Sequence, residues 1–239
     1  MEDVVQFECA GHPFFCPRDE HTLAVVGEVL SGAAYPVPGF LTDRIRTLVD
    51  VGANLGAAAV WFHALFPHAA IECYEPTLRA FRFLARNTAP HGRIRCHHAG
   101  LLDRDGRLDI SVGGTGSETS SLKRSRQAAF GVHESAEFRA ALPVVEPLLE
   151  TGAPLALKVD TEGCEVEILG SLAPVLDRIE LLLLEYHSEE DRVAIDTLAR
   201  AHGHILFAAR ADQCHLGTTV YVHRETAARL TDMEADAIR

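Results

Sequence analysis

From about residue 47 onward, the hydrophobic positions of this chain form short continuous runs that alternate with stretches of helical spacing. A continuous apolar run is typical of a strand buried on both faces, so we predict five strands, over residues 48–51, 70–74, 94–98, 155–159 and 179–185. Helices are predicted over residues 57–66, 78–87 and 144–150, and from the N-cap Ser188 to Ala201. This alternation predicts an α/β fold with a mostly parallel sheet and helices on both faces.

Residues on either side of this alternation complete the predicted architecture. Residues 204–208 and 218–223 predict an antiparallel hairpin at the sheet edge, which makes a seven-stranded sheet, and residues 225–238 predict a terminal helix. Residues 1–45 predict an N-terminal cap segment with a hairpin-prone start and a helix that Gly32 ends. This segment either covers the open end of the sheet, where α/β folds bind ligands, or only shields the sheet edge. Residues 46–239 are expected to form the main, ligand-binding domain.

Composition limits the classes of function. A chain of 239 residues that is 47% hydrophobic suits one α/β domain with a short extension. Its formal net charge of −12 argues against nucleic acid or an anionic membrane as a partner. The six cysteines are scattered and form no C-x-x-C pair, as expected of a reduced, intracellular protein. Neither a signal peptide nor a long apolar run is visible, so a cytoplasmic location is expected.

A turn of small residues follows the first predicted strand and opens onto a helix, in the sequence Leu48-Val49-Asp50-Val51-Gly52-Ala53-Asn54-Leu55-Gly56. Its Gly-x-x-x-Gly spacing differs from the Gly-x-Gly-x-x-Gly of pyrophosphate-binding turns. Glu75 ends the next strand, where a carboxylate can accept both hydroxyls of a ribose. Together they predict a nucleoside-type cofactor, S-adenosylmethionine, with S-adenosylhomocysteine as product. The candidate cofactor residues are Asp50, Gly52, Ala53, Asn54, Gly56, Glu75, Pro76, Gly100, Leu101 and Asp160.

Polar residues collect at the ends of the fourth and fifth predicted strands, and they are Lys158, Asp160, Glu162, Glu185 and His187. The carboxyl ends of parallel strands meet at one edge of an open sheet, so these side chains are expected to converge on one rim. Polar groups are rarely buried without partners, which makes this rim the candidate acceptor site.

Several of these residues also have structural alternatives. Lys158 and Glu185 can form an ion pair across neighbouring strands, and Asp50 can cap the helix after its turn. Glu165 is expected to be a first-turn helix acid that the helix dipole favours. Residues 113–121 are rich in Gly, Ser and Thr and predict either a surface linker or a lid. The candidate substrate contacts are Tyr35, Ser120, Ser121 and Glu185.

Five segments together resemble the FkbM family of S-adenosylmethionine-dependent methyltransferases: VDVGANLG, YEP, the asparagine of ARN (Asn87), LKVDTEGCEVEILGSL and LEYH. The resemblance covers roughly residues 20–223. It implies a class I methyltransferase fold and O-methylation of a small hydroxylated molecule, often a sugar or a secondary metabolite. It also implies that Glu75 holds the ribose, that the glycine turn faces the methionine and ribose portions, and that the rim faces the acceptor.

An alcohol needs a base before it can accept a methyl group, and a positioned base contributes on the order of 10²–10⁴-fold. His187 is the first candidate because imidazole titrates near neutrality, and Asp160 is the second. Lys158 or Glu162 is expected to orient the substrate. Magnesium held by the rim carboxylates and His187 is an alternative that we do not favour, and no metal ligand is assigned.

Other acceptors and one other class of function stay open. The acceptor is expected to be a small molecule, and an amine or a carboxyl group is the alternative to a hydroxyl. A protein that binds S-adenosylmethionine without catalysis is the alternative from another class. A nicotinamide-linked reductase is disfavoured, because the turn builds no pyrophosphate site. Neither nucleic acid nor a membrane is expected as a partner, and a homo-oligomer is possible.

Overall fold

Twelve strands and six α-helices make up this computed structural model, which describes residues 3–112 and 132–228. The strands are β1 (Val4–Cys9), β2 (His12–Pro17), β3 (Thr47–Val51), β4 (Ala70–Tyr74), β5 (Ile94–His97), β6 (Gly100–Leu102), β7 (Gly106–Val112), β8 (Val132–Ala140), β9 (Leu155–Val159), β10 (Leu181–Tyr186), β11 (His204–Gln213) and β12 (Leu216–His223). The helices are α1 (Glu20–Leu30), α2 (Ala57–Leu65), α3 (Leu78–Thr88), α4 (Ala141–Leu149), α5 (Glu165–Ser171) and α6 (Glu189–Ala201).

The main sheet has seven strands in the order β11-β12-β10-β9-β3-β4-β5. Neighbouring strands are parallel from β10 to β5, whereas β12 is antiparallel to both β10 and β11. This is the topology of the class I methyltransferase fold, so the expected fold is confirmed. The strand order reverses between β3 and β9, and open α/β sheets bind ligands at the carboxyl ends of the strands beside such a point.

The four consecutive leucines of β10 show how the sheet is buried on both faces. Leu182 and Leu184 pack into one hydrophobic cluster with residues of α4, α5 and α6. Leu181 and Leu183 pack into a second cluster on the other face, which includes residues of α2. Successive side chains of a strand point to opposite faces, so a continuous apolar run serves both cores, as the sequence predicted.

Two features of the architecture differ from the prediction. The fifth parallel strand begins at Leu181 rather than at 179, because residues Leu176–Arg178 form a 3₁₀ turn that carries the chain into the sheet. A second sheet of three strands, in the order β6-β8-β7, was not predicted at all. Its longest strands, β7 and β8, are antiparallel and carry period-two apolar positions such as Ile110 and Phe138, in a region rich in polar residues.

The N-terminal segment is a hairpin, β1–β2, followed by α1. It packs on α2 and α3 through a third cluster that contains Phe14, Val26 and Phe83. The buried side chain of Asn87 stabilises this contact through three hydrogen bonds. Nδ2 donates to the carbonyls of Phe15 and Leu55 at 2.9 and 2.8 Å, and Oδ1 accepts from the Phe15 amide at 2.8 Å. The asparagine of the family resemblance therefore has a structural role.

Some predictions fall on segments that lie outside the described residues. The first is the loop 113–121, with Ser120 and Ser121. The second is most of the predicted terminal helix 225–238: residues 224–228 are helical, and the rest of this prediction lies outside the described residues. Within the described ranges, every helix is too short or too polar to span a membrane.

Candidate active site

A cavity of about 470 Å³ opens at the carboxyl ends of β3, β4, β9 and β10. Its volume is within the roughly 300–1,000 Å³ typical of small-molecule sites. Ten of the residues selected from the sequence line it: Gly52, Asn54, Glu75, Pro76, Gly100, Leu101, Asp160, Glu162, Glu185 and His187. The strand ends that the sequence predicted to converge therefore meet in one space.

The turn after β3 owes its shape to close backbone packing at Gly52. This residue has a φ of 76°, and a Cβ atom here would lie 1.7 Å from the carbonyl oxygen of Asp160. Asn54 is also left-handed, with a φ of 48°, and lines the cavity. Gly56 begins α2 and packs against Leu84, so the structure does not bring it to the cavity wall.

Glu75 lies between the turn and the start of α3. Oε2 accepts from the Asn54 amide at 3.0 Å, and Oε1 accepts from the amide and the hydroxyl of Thr77 at 2.8 and 2.6 Å. Burial raises the pKa of Glu75 despite these hydrogen bonds. A carboxylate offers about four acceptor positions, so about one is left, on Oε2.

An apolar slot extends the cavity beyond Glu75. Leu101, Ile110 and Phe138 form its walls, beside Pro76. Gly100 is needed here, since a Cβ atom on this residue would lie 2.5 Å from the Phe138 ring. A slot with these apolar walls suits an aromatic base.

Lys158 is buried below the turn, and its role differs from the predicted one. Nζ lies 2.9 Å from Oδ1 of Asp50 and donates to the Gly52 carbonyl at 2.7 Å. The alternative of an ion pair between Lys158 and Glu185 is therefore not observed: the partners of Lys158 are Asp160 and Asp50, which lies opposite Lys158 in the β3–β9 register. Asp50 is fully buried and does not line the cavity, and it does not cap α2, whose N-cap is Gly56. Lys158 does not line the main cavity either, so the expectation that it orients a substrate is corrected.

Asp160 is held by three donors. The Tyr35 hydroxyl donates to Oδ2 at 3.0 Å, Nζ of Lys158 lies 3.5 Å from the same oxygen, and the Glu185 side chain is hydrogen-bonded to this carboxylate. Burial alone raises the pKa of Asp160, but Lys158 and the hydrogen bonds outweigh burial and lower it. Burial and the charge of Asp160 raise the pKa of Glu185, so Glu185 keeps its proton and donates it to Asp160.

Tyr35 does not lie where the sequence placed it. Its side chain is buried beside Lys158 and Ala53, in a small pocket of about 50 Å³ next to the main cavity. The expected substrate contact at Tyr35 is therefore corrected to a hydrogen bond that fixes Asp160.

His187 is surrounded by carboxylates. Nδ1 lies 3.2 Å from Oε1 of Glu165, and Nε2 lies 3.3 Å from Glu162 and 3.4 Å from Glu185. Burial lowers the pKa of an imidazole, but these acids, Glu165 first, outweigh burial and raise the pKa of His187 to about 9. The expectation that this side chain titrates near neutrality is corrected, because it is an imidazolium at pH 7.

Protein cations balance the acidic rim. Asp160, Glu185 and His187 each place one potential metal-ligand atom within 4.8 Å of the others. However, Lys158 already pairs with Asp160 as well as with Asp50, and the imidazolium of His187 lies between the Glu162 carboxylate and the protonated Glu185. We therefore derive no step through a metal ion.

Sequence reasoning did not select several residues of the site. Residues His21 and Val25 of α1, Ile110 and Phe138 of the second sheet, and Gln213 and Leu216 of the edge hairpin line the cavity. The period-two apolar positions of residues 108–110 and 136–140 were a usable signal for the second sheet. Glu165 was noted only as a helix acid, and nothing in the sequence pattern indicated its contact with His187.

Comparison with known proteins gives one curated relative and several similar folds. No family model matches the sequence. The chain is 24% identical to the 2-O-methyltransferase NoeI of Sinorhizobium fredii over 155 residues, which cover 60% of this chain and 64% of that protein. It thus spans less than two thirds of the relative's length.

Two solved structures illustrate the similar folds. Fibrillarin of Aeropyrum pernix, solved with bound S-adenosyl-L-methionine, is 14% identical, with a TM-score of 0.47 over 91% of this chain and 82% of that chain. Precorrin-6y C5,15-methyltransferase of Geobacter metallireducens is 11% identical, with a TM-score of 0.44 over 84% of this chain and 88% of that chain.

Proposed function

We propose that this protein is an S-adenosylmethionine-dependent O-methyltransferase that acts on a hydroxyl group of a small molecule, of sugar or secondary-metabolite type. One observation carries the proposal: a single cavity joins an apolar slot and Glu75 to the polar rim of Asp160, Glu162 and His187. The 2-O-methyltransferase relative supports the reaction class. Membership of the FkbM family, a role in natural-product biosynthesis and a cytoplasmic location are further parts of this proposal and rest on the sequence.

The donor set of the cavity fits the cofactor. The apolar slot beside Pro76 and Phe138 suits the adenine ring, and the remaining acceptor position of Glu75 suits a ribose hydroxyl. The carboxylate oxygens of Asp160 and Glu162 also line this cavity and suit the positive charge of a sulfonium. Asn54 and Gly52 present the turn backbone to the same cavity.

When bound, the cofactor supplies a methyl carbon that is activated by the sulfonium. The chain's contribution is to hold the acceptor oxygen in line with that carbon and to remove its proton. Alignment of two reactants is worth roughly 7–11 kcal/mol of barrier at the extreme. Nε2 of His187 lies beside Glu162 and Glu185 in the cavity lining, and in its neutral form it would accept the proton of the acceptor hydroxyl. Asp160 is a poor base here, because its donors stabilise the anion.

The charge of the wall supports an uncharged acceptor. The described residues that line the cavity include the carboxyl groups of Glu75, Asp160, Glu162 and Glu185, but no lysine or arginine. Asp160 and Glu162 are paired with Lys158 and with the imidazolium of His187, and Glu185 keeps its proton. The described wall therefore offers a phosphate or a carboxylate no lysine or arginine as a counter-ion, which disfavours nucleic acid and a carboxyl acceptor. A small amine is the second candidate acceptor.

Two measurements on the full chain test this function. Isothermal titration should show binding of S-adenosylmethionine and S-adenosylhomocysteine, and radiolabelled methyl transfer should occur to a panel of neutral polyols and glycosides. His187→Gln should keep cofactor binding and lose turnover by about 10²-fold or more. His98→Gln, which changes a histidine that stacks on Phe81, is the control and should keep both. Cofactor binding without transfer to any acceptor would favour a binding protein, and no binding at all would overturn the proposal.

A further inference from the structure

A buried carboxylate lies directly behind the proposed base. Glu165 is fully buried at the start of α5, and its Oε1 lies 3.2 Å from Nδ1 of His187. We propose that Glu165 is a positioning residue that fixes the tautomer and the orientation of His187, so that Nε2 faces the acceptor. This inference rests on the proposed function only for the role of His187 as the base.

The loop between β9 and α5 holds the Glu165 carboxylate in place. Oε1 accepts from the amide and the hydroxyl of Thr161 at 2.9 and 3.2 Å, and from the amide of Gly163 at 3.1 Å. The loop reaches this geometry through left-handed backbone at Glu162 and Gly163, with φ values of 58° and 104°. The carboxylate is therefore fixed before any ligand binds.

The contact decides which nitrogen of His187 carries a proton. A buried carboxylate beside Nδ1 stabilises the proton on Nδ1, and the other nitrogen then becomes the one that exchanges a proton with the ligand. Nε2 indeed points to the cavity side, towards Glu162 and Glu185. His187 is also the cation that neutralises Glu165 among the described residues, and an unpaired charge at a fully buried position would be costly.

Other charged groups also face His187, and they limit what one substitution can do. Glu162 and Asp160 face it from the loop after β9, and Glu185 faces it from β10. His21 of α1 lines the same cavity. Glu165 is distinct because it is fully buried and its Oε1 is the carboxylate oxygen that pairs with Nδ1, at 3.2 Å.

NMR titration of His187 in the folded full chain provides the test, because it needs no acceptor. In Glu165→Gln, the pKa of His187 should fall by about one unit or more, since the nearest opposite charge is lost. Glu167→Gln is the matched control: it removes an exposed acid from the same first turn of α5 and should leave that pKa unchanged. An unchanged pKa in Glu165→Gln, or an equal shift in the control, would overturn the inference.

A second variant separates positioning from folding. Glu165→Asp keeps the charge but shortens the side chain, so the pKa of His187 should stay raised while kcat falls and KM for the cofactor is retained. Unchanged kcat in this variant would also overturn the inference. If Glu165→Gln fails to fold, Glu165→Asp decides the question alone. The two proposals fail separately: loss of cofactor binding removes the proposed function, whereas the titration of His187 reports only its contact with Glu165.

Discussion

Nζ of Lys158 lies 2.9 Å from Oδ1 of Asp50, and the two side chains are only 2% and 0% exposed. The pair joins neighbouring strands at the point where β3 ends, and Nζ also holds the carbonyl of Gly52. The Lys158 cation below the turn after β3 is thus tied to the backbone of that turn. This buried pair explains why two ionisable residues occur within otherwise apolar strands.

Lys158→Met should destabilise the protein strongly, because it leaves Asp50 buried without a counter-ion. The unfolding free energy in urea, followed by circular dichroism, should fall by about 3–5 kcal/mol. Arg95→Met is the control: Arg95 also pairs across strands, with Glu72, but its side chain is 78% exposed, so the loss should be at most about 1 kcal/mol. The double variant Asp50→Asn with Lys158→Met should recover part of the stability. Equal effects of the buried and exposed substitutions would contradict this account.

The raised pKa of His187 predicts a rising pH profile for methyl transfer. Below a pKa of about 9 the imidazole is protonated, so the fraction in the neutral, basic form rises tenfold per pH unit. The value of kcat/KM should therefore increase from pH 6 and level off near pH 9, since this constant reports the free enzyme. In His187→Gln, this rise of kcat/KM with pH should be absent. A kcat/KM that falls over this range would mean that the imidazolium, rather than the neutral ring, is the active form.

The main sheet could be predicted because each of its parallel strands is a short apolar run in the sequence. Apart from Asp50 and Lys158, the runs at 48–51 and 155–159 are apolar on both faces, so they indicate strands without knowledge of their neighbours. In contrast, β7 and β8 contain many polar residues, and the segment between them adds no periodic pattern. Their pairing depends on contacts distant in sequence, and the slot formed by Ile110 and Phe138 was missed with them.

The sequence predicted which residues lie at the rim better than it predicted which of them pair with each other. Asp50 and Glu185 both lie on strands beside Lys158, and only the register and depth of the sheet select Asp50. The position of Glu165 in the first turn of a helix is explained by the helix dipole, so the sequence pattern provided no reason to place it in the site. Its contact with His187 depends on the left-handed turn at Glu162, which no local pattern indicates.

Glu75→Gln should weaken cofactor binding, because a neutral amide replaces a carboxylate that faces the cavity. A hydrogen bond to a charged group is worth about 1.5–3 kcal/mol, so the Kd for S-adenosylhomocysteine should rise about 10- to 100-fold. Glu72→Gln is the matched control, since Glu72 lies on β4, the strand that leads to Glu75, but pairs with His97 at 2.8 Å and does not line the cavity. Isothermal titration measures both variants. Equal affinities would show that Glu75 is not a cofactor ligand.

Gly52→Ala should damage both the fold and the site. The added Cβ atom would lie 1.7 Å from the Asp160 carbonyl oxygen at a positive φ, so the turn and the end of β9 must separate. The unfolding free energy should fall by more than about 1 kcal/mol, and binding of S-adenosylhomocysteine should be lost. Gly39→Ala, where a Cβ atom would meet nothing within 4 Å, should keep both properties. A Gly52→Ala protein with normal binding would place the ligand elsewhere.

Removal of divalent cations should leave methyl transfer unchanged. The carboxylate of Asp160 is paired with Lys158, and the imidazolium of His187 lies between Glu162 and Glu185, so a metal ion would have to displace two cations of the protein. We therefore expect the same turnover before and after dialysis against EDTA, with no gain when magnesium is added. Turnover that is lost on dialysis and returns with magnesium would show that the rim carboxylates and His187 bind a metal ion, and His187 could then not serve as the base.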